Sequence, residues 1–194
     1  MTTTKEYYNS IADEYDSKSN KYANGQYLKE IRQYVCKEDS VLELGCGSGW
    51  LVSQLDAKKK VGIDSSLQML KQPKRRINAI LYLMDAEHLE FRKDTFDVAY
   101  SVNLLEHLLH PEKAIKEAER VLKEGGKLII ITPNGDLEWL LNLLEALKLK
   151  IPEGDHHFLT KKELFGIVDQ KRVYEYKTLM FGLFHFLVIT TWGK

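Results

Sequence analysis

Gly45, Gly47 and Gly49 alternate directly behind the apolar run Val41-Leu42-Glu43-Leu44, and Asp64 lies nineteen residues beyond the first of these glycines. A backbone without Cβ atoms can approach a small molecule to contact distance, so the spacing reads as a turn whose N–H groups line a ligand. The dinucleotide fingerprint G-x-G-x-x-G needs its last glycine at position 50, where this chain has Trp50. A pyrophosphate-bearing ligand is therefore disfavoured. Asp64 ends a second short apolar run, Val61-Gly62-Ile63. An acid at the tip of the second strand of a βαβ unit accepts hydrogen bonds from both hydroxyls of a ribose. Glu43 adds a carboxylate two residues ahead of the glycine turn.

The histidines carry the other candidate chemistry. An imidazole titrating near neutrality can take a proton from a hydroxyl or amine. His107 and His110 stand three apart, a spacing that could offer two imidazoles to one metal, but no Cys or His cluster supplies further ligands, so no metal is expected. His107 reads either as a wall of a cavity for a second molecule or as a structural helix-start residue. His156 and His157 follow Asp155 in a loop flanked by Gly154 and Pro152. They read either as solvated loop residues or as a base at a strand end, where loops carry chemistry in parallel sheets.

These residues need a scaffold. Ala79 to Met84 is a third apolar run, ending in Asp85-Ala86-Glu87, and Phe96 to Ser101 is a fourth, ending near Asn103. Four strands thus end in polar or glycine residues on one side, and open parallel sheets bind ligands beyond those ends. Helical stretches such as Glu112 to Lys123 supply the crossovers. Lys171 to Lys177 and Leu183 to Thr191 also read as strands, yet the five residues Thr178 to Gly182 are too few for a parallel crossover. The last two strands are therefore an antiparallel hairpin. Thr160-Lys161-Lys162-Glu163 fits a capping box for the helix before it. At the amino end, Tyr7, Tyr8, Ile11, Ala12 and Tyr15 recur at helical spacing, and a second helix is expected over Gln26 to Cys36. Leu137, Leu140, Leu141, Leu144, Leu147 and Ile151 form one stripe that Trp139 and Leu143 widen. A helix so apolar needs a cover: the sheet, a second subunit or an apolar acceptor.

At 194 residues and 44% hydrophobic content the chain suits one well-buried domain. Lys and Arg number 28, matching 28 Asp and Glu, so no global field draws it to nucleic acid. The runs Lys58-Lys59-Lys60 and Lys71 to Arg76 lack interleaved aromatics and read as solvated surface. Cys36 and Cys46 suit a reducing compartment, with Cys46 inside the glycine turn. No signal pattern and no membrane-spanning run is seen, so a cytoplasmic location is expected; either a monomer or a homodimer is compatible with the sequence.

Residues from about 38 to 133 resemble the core of the type 11 branch of class I S-adenosylmethionine-dependent methyltransferases, which includes quinone-biosynthesis enzymes. The matching features are the glycine motif at 45 to 49, Asp64, Asp85, Phe96-Asp97-Val98, Glu106-His107 and Ala118 to Ile130. The resemblance implies an α/β, Rossmann-like doubly wound sheet of seven mostly parallel strands, order 3-2-1-4-5-7-6 with strand 7 antiparallel, flanked by helices. It implies S-adenosylmethionine as cofactor, with Asp64 on the ribose and Asp85 on the adenine amino group. Glu43, Gly45, Cys46, Gly47, Gly49, Ser65, Met69, Ala86, Glu87, Val102 and Tyr15 complete the implied cofactor site, and His107, His156 and His157 are the acceptor-side or base candidates. Where a quinone-methyltransferase branch pairs Glu106 and His107 with a further acid for a divalent ion, this chain has Asn103. The implied plan for residues 1–194 is a helical lid at 1–37, a cofactor core at 38–133, an acceptor-side insertion at 134–160 and a final helix and hairpin at 161–194. The expected acceptor is a small, partly apolar molecule. Two alternatives are a tRNA-modification methyltransferase and a catalytically silent cofactor-binding regulator.

Overall fold

The computed structural model describes residues 6–12, 21–71, 77–147 and 156–191. Tyr15, Asp155, the end of the second basic run and the end of the leucine stripe lie outside the described residues. The strands are β1 (Ser40–Leu44), β2 (Lys59–Asp64), β3 (Ile80–Leu83), β4 (Phe96–Val102), β5 (Leu122–Pro133), β6 (Val173–Leu179) and β7 (Phe184–Thr190). They form one seven-stranded sheet in the order β3-β2-β1-β4-β5-β7-β6. β7 runs antiparallel to both β5 and β6, and every other pairing is parallel. The short connection after β6 thus has the consequence expected of it.

Alternation along the strands explains why both faces are covered. Leu42, Leu44, Ile63, Ala99, Leu128, Ile130, Leu187 and Ile189 point into one core, while Val41, Val98, Tyr100, Ile129, Ile131, Phe186 and Val188 point into the other. Side chains alternate faces with a period of two, so a strand apolar at every position must be buried twice. Residues 6–12 are helical (α1). α2 (Lys21–Ile31) and α3 (Trp50–Ser53) cover the second face through Ala23, Tyr27, Leu28, Ile31 and Val52. α5 (Pro111–Val121) covers the first, with Ala114, Ile115, Ala118 and Val121. Between them in sequence lies the single turn α4 (Leu67–Leu70), and α6 (Glu138–Ala146) and α7 (Lys161–Ile167) follow β5.

Local chemistry sets several boundaries. Thr160 Oγ1 accepts from the Glu163 N–H at 3.2 Å and Glu163 Oε2 accepts from the Thr160 N–H at 2.8 Å, the reciprocal capping box read from the sequence. α2 begins five residues earlier than the spacing predicts and gives way to a 3-10 turn at Arg32–Tyr34. The leucine stripe does form a helix, but α6 buries only Leu141, and Trp139 is 66% exposed. Among the described residues no helix is long and apolar enough to cross a membrane.

Candidate active site

The strand order reverses between β1 and β4, and a cavity of about 550 Å³ opens at the carboxyl ends of the strands around that point. Its floor is the glycine turn. Gly45 and Gly47 carry φ of +69° and +54°, a region where a Cβ is strained. A Cβ on Gly45 would also come within 2.8 Å of Leu104 Cδ1. Gly47 donates its N–H to Asp64 Oδ2 at 2.8 Å, and Ser66 donates its N–H to Oδ1 at the same distance. Asp64 therefore braces the turn and the start of α4 while lining the cavity. Burial pushes its carboxyl above the ordinary aspartate value, against the opposing pull of the Ser66, Gly47 and Ser65 N–H groups. An ionised carboxylate has room for more than two donors, so this bracing leaves acceptor capacity for a ligand.

Of the cofactor-site candidates named from the sequence, Gly45, Gly47, Asp64, Ser65, Met69, Asp85, Ala86, Glu87 and Val102 line the cavity. Three candidates do not. Glu43 lies beneath the floor, 2% exposed, where Oε2 accepts from the Val52 N–H at 3.0 Å and pins α3. Burial pushes its carboxyl up to about 8, with the Tyr100 hydroxyl and the Val52 N–H acting against the shift and the Asp64 charge adding to it. Cys46 is turned into the core against Gly62, and burial raises its thiol well above the ordinary value. Gly49, at φ +77°, faces Leu81 rather than the cavity. These three support the turn from behind: Glu43 from β1 below it, Cys46 packed against Gly62, and Gly49 against Leu81 at the start of α3.

Glu43 sets a pH expectation. A carboxyl whose folded pKa is raised stabilises the fold fully below its unfolded value, and that contribution is lost as pH rises through the folded value. Glu43→Gln keeps an acceptor for Val52 and removes the titration. The variant should match the parent near pH 4.5 and exceed it in stability increasingly towards about pH 8. Denaturant midpoints across that window check this; parallel curves would mean that Glu43 does not titrate in the fold.

Beyond β4 the wall changes character. Asn103, at φ +50°, turns the chain outwards, and Leu104, His107, Leu108 and Leu109 follow it round the rim. Tyr8 of α1 closes over them, its hydroxyl 2.9 Å from His107 Nε2. His156 reaches the same group: its ring centroid is 6.3 Å from that of His107 and 4.2 Å from buried Phe158. His157 does not join. Its Nε2 lies 3.2 Å from Glu163 Oε1 at the exposed cap of α7, while its N–H donates to the Glu106 carbonyl at 2.8 Å and so positions its neighbour. His110 is also turned away, towards Glu112 at 3.5 Å. Among the described residues no group of three His, Cys, Asp or Glu side chains could hold a metal ion. None of the cavity-lining residues comes from α6.

Sequence reasoning did not single out Ser66, Asn103, Leu104, Leu108 or Leu109 for the cavity. For the leucines the signal in hand was an apolar cluster directly after the fourth strand, where the chain turns over the strand ends. Ile63, fully buried, and the partly buried Met84 also border the cavity from the ends of their apolar runs. The charged side chains of the lining are Asp64, Asp85 and Glu87, with no Lys or Arg among the described lining residues. Such a rim repels a pyrophosphate and attracts a cation with hydroxyl donors.

The methyltransferase domain family model matches residues 42–130, the segment from β1 into β5. An uncharacterised protein of Methanocaldococcus jannaschii is 31% identical over 167 residues, covering 84% of this chain and 78% of the relative. A ubiquinone biosynthesis O-methyltransferase of Coxiella burnetii is 30% identical over 142 residues, covering 68% of this chain and 61% of that enzyme. The chain spans 57%, 31% and 46% of the length of three other uncharacterised relatives. In fold, a SAM-dependent methyltransferase of Thermotoga maritima, given as a possible histamine N-methyltransferase, superposes with a TM-score of 0.77 over 96% of this chain and 99% of its own, at 23% identity.

Proposed function

The chain belongs to the type 11 family of class I S-adenosylmethionine-dependent methyltransferases, and from that membership we propose that it methylates a small, partly apolar molecule through a hydroxyl or amine. The observation that carries this reading is the division of one cavity into two ends. The acids Asp64 and Asp85 stand at the β2–β3 end, suited to ribose hydroxyls and an adenine amino group. Leucines and the Tyr8–His107 pair stand at the β4 end. The absence of a cation from the described lining fits a positively charged sulfonium and disfavours a dinucleotide.

When bound, the cofactor supplies an activated methyl group on a sulfonium that is already a good leaving group. The protein's part is to fix the reacting atoms in line and keep water out. Gly47, braced by Asp64, lets the backbone approach the ligand. Leu104, Leu108 and Leu109 give the acceptor an apolar bed, and His107 Nε2 receives the proton that a hydroxyl or amine must lose. In this reading residues 38–133 hold the cofactor. The acceptor end draws on 1–37 through Tyr8 and on 134–160 through His156, with the α6 leucines outside it.

Incubating the protein with methyl-labelled S-adenosylmethionine and a cell extract separates the alternatives. Label is expected in a solvent-extractable small molecule. Label confined to tRNA would overturn the acceptor reading, and cofactor binding with no transfer to any fraction would favour a silent regulator.

A further inference from the structure

α1 crosses the cavity and is tied on both sides. Ser66 Oγ, beyond β2, donates to Asn9 Oδ1 at 2.6 Å, while the adjacent Tyr8 places its hydroxyl 2.9 Å from His107 Nε2 beyond β4. The Tyr8 and His107 rings meet edge to face with centroids 5.4 Å apart, and both line the cavity. With Asp64 and Asp85 assigned to the nucleoside at the β2–β3 end, the sulfur end of a bound cofactor would lie towards β4. That is where the Tyr8 hydroxyl stands, already paired with the imidazole assigned to deprotonate an acceptor.

Resting on the methyltransferase reading, we propose that Tyr8 occupies the acceptor position and is itself methylated on its phenol oxygen when no external acceptor displaces it. The phenol oxygen forms a bond to the methyl carbon as the carbon–sulfur bond breaks. Sulfur keeps the electron pair and leaves as S-adenosylhomocysteine, and the phenol proton passes to His107 Nε2. A free phenol, with a pKa of about 10, is protonated at neutral pH, so the imidazole contact is what makes the oxygen nucleophilic. The distance meets the geometric requirement for a general base. An external acceptor must break the Tyr8–His107 contact to react, so it protects Tyr8 from methylation.

The test uses the full chain and trideuteromethyl S-adenosylmethionine, with peptide mapping by tandem mass spectrometry. Tyr8 should carry the labelled methyl, matched by an equal amount of S-adenosylhomocysteine. Tyr8→Phe should carry none, and His107→Asn should be labelled about a hundredfold more slowly. In the cofactor-free protein the nitrogen chemical shift of His107 Nε2 should move in Tyr8→Phe; an unmoved shift would overturn the contact and the proposal. Calorimetry with S-adenosylhomocysteine separates the two levels of inference. Binding with an unlabelled Tyr8, or with label on another residue, overturns self-methylation alone, whereas failure to bind overturns the function on which it rests.

Discussion

Gly47→Val should abolish measurable binding of S-adenosylhomocysteine while leaving a folded protein. Gly47 sits at φ +54° with its N–H committed to Asp64 Oδ2, and it lines the cavity. A β-branched side chain is an outlier at that angle, and holding it there costs about 1–3 kcal/mol. That is tolerable for a sheet buried on both faces but not for the ligand, because the new side chain either fills the space the cofactor needs or turns the N–H off Asp64. Calorimetry gives the affinity and a thermal melt gives the fold. Near-parental affinity in a folded Gly47→Val protein would show that the backbone does not approach the cofactor there.

Asp64→Ala has the second largest expected effect. Each hydrogen bond from a ribose hydroxyl to an ionised carboxylate contributes about 1.5–3 kcal/mol, so loss of two should lower affinity by at least about a hundredfold. The substitution also frees the Gly47 and Ser66 N–H groups that Asp64 now holds. Asp64→Asn should fall between parent and Ala, since its single amide oxygen serves one of those donors and its amide nitrogen opposes the other. The pH dependence has a fixed sign. Burial raises the Asp64 carboxyl, so affinity should decline as pH falls through a value above that of an ordinary aspartate. Unchanged affinity in Asp64→Ala would remove Asp64 from the ribose site.

Much of the scaffold was legible because its determinants are local. A five-residue connection cannot make a parallel crossover, and so the antiparallel β7 followed from counting residues. The capping box at Thr160 and Glu163 is a contact across three positions. The leucine stripe was legible as a helix but not as a partner: period says which residues share a face and nothing about what lies opposite. In the structure Leu141 alone turns fully inward and Trp139 faces outward.

The site divides in the same way. Sequence by itself determined the glycine turn, the acids Asp64 and Asp85 at strand tips and the parallel order that gathers them, because alternation and turn chemistry are written in neighbouring residues. The tertiary structure decided what depends on distance through space. It put Glu43 and Cys46 under the floor, set His107 in the cavity wall with His156 beside it but outside the lining, turned His157 and His110 away, and laid Tyr8 against a histidine ninety-nine residues away. No local pattern encodes that contact. It arises because α1 spans the carboxyl ends of the strands, bonded at Ser66 after β2 and at His107 after β4, and the backbone ladder of the sheet fixes how far apart those ends stand.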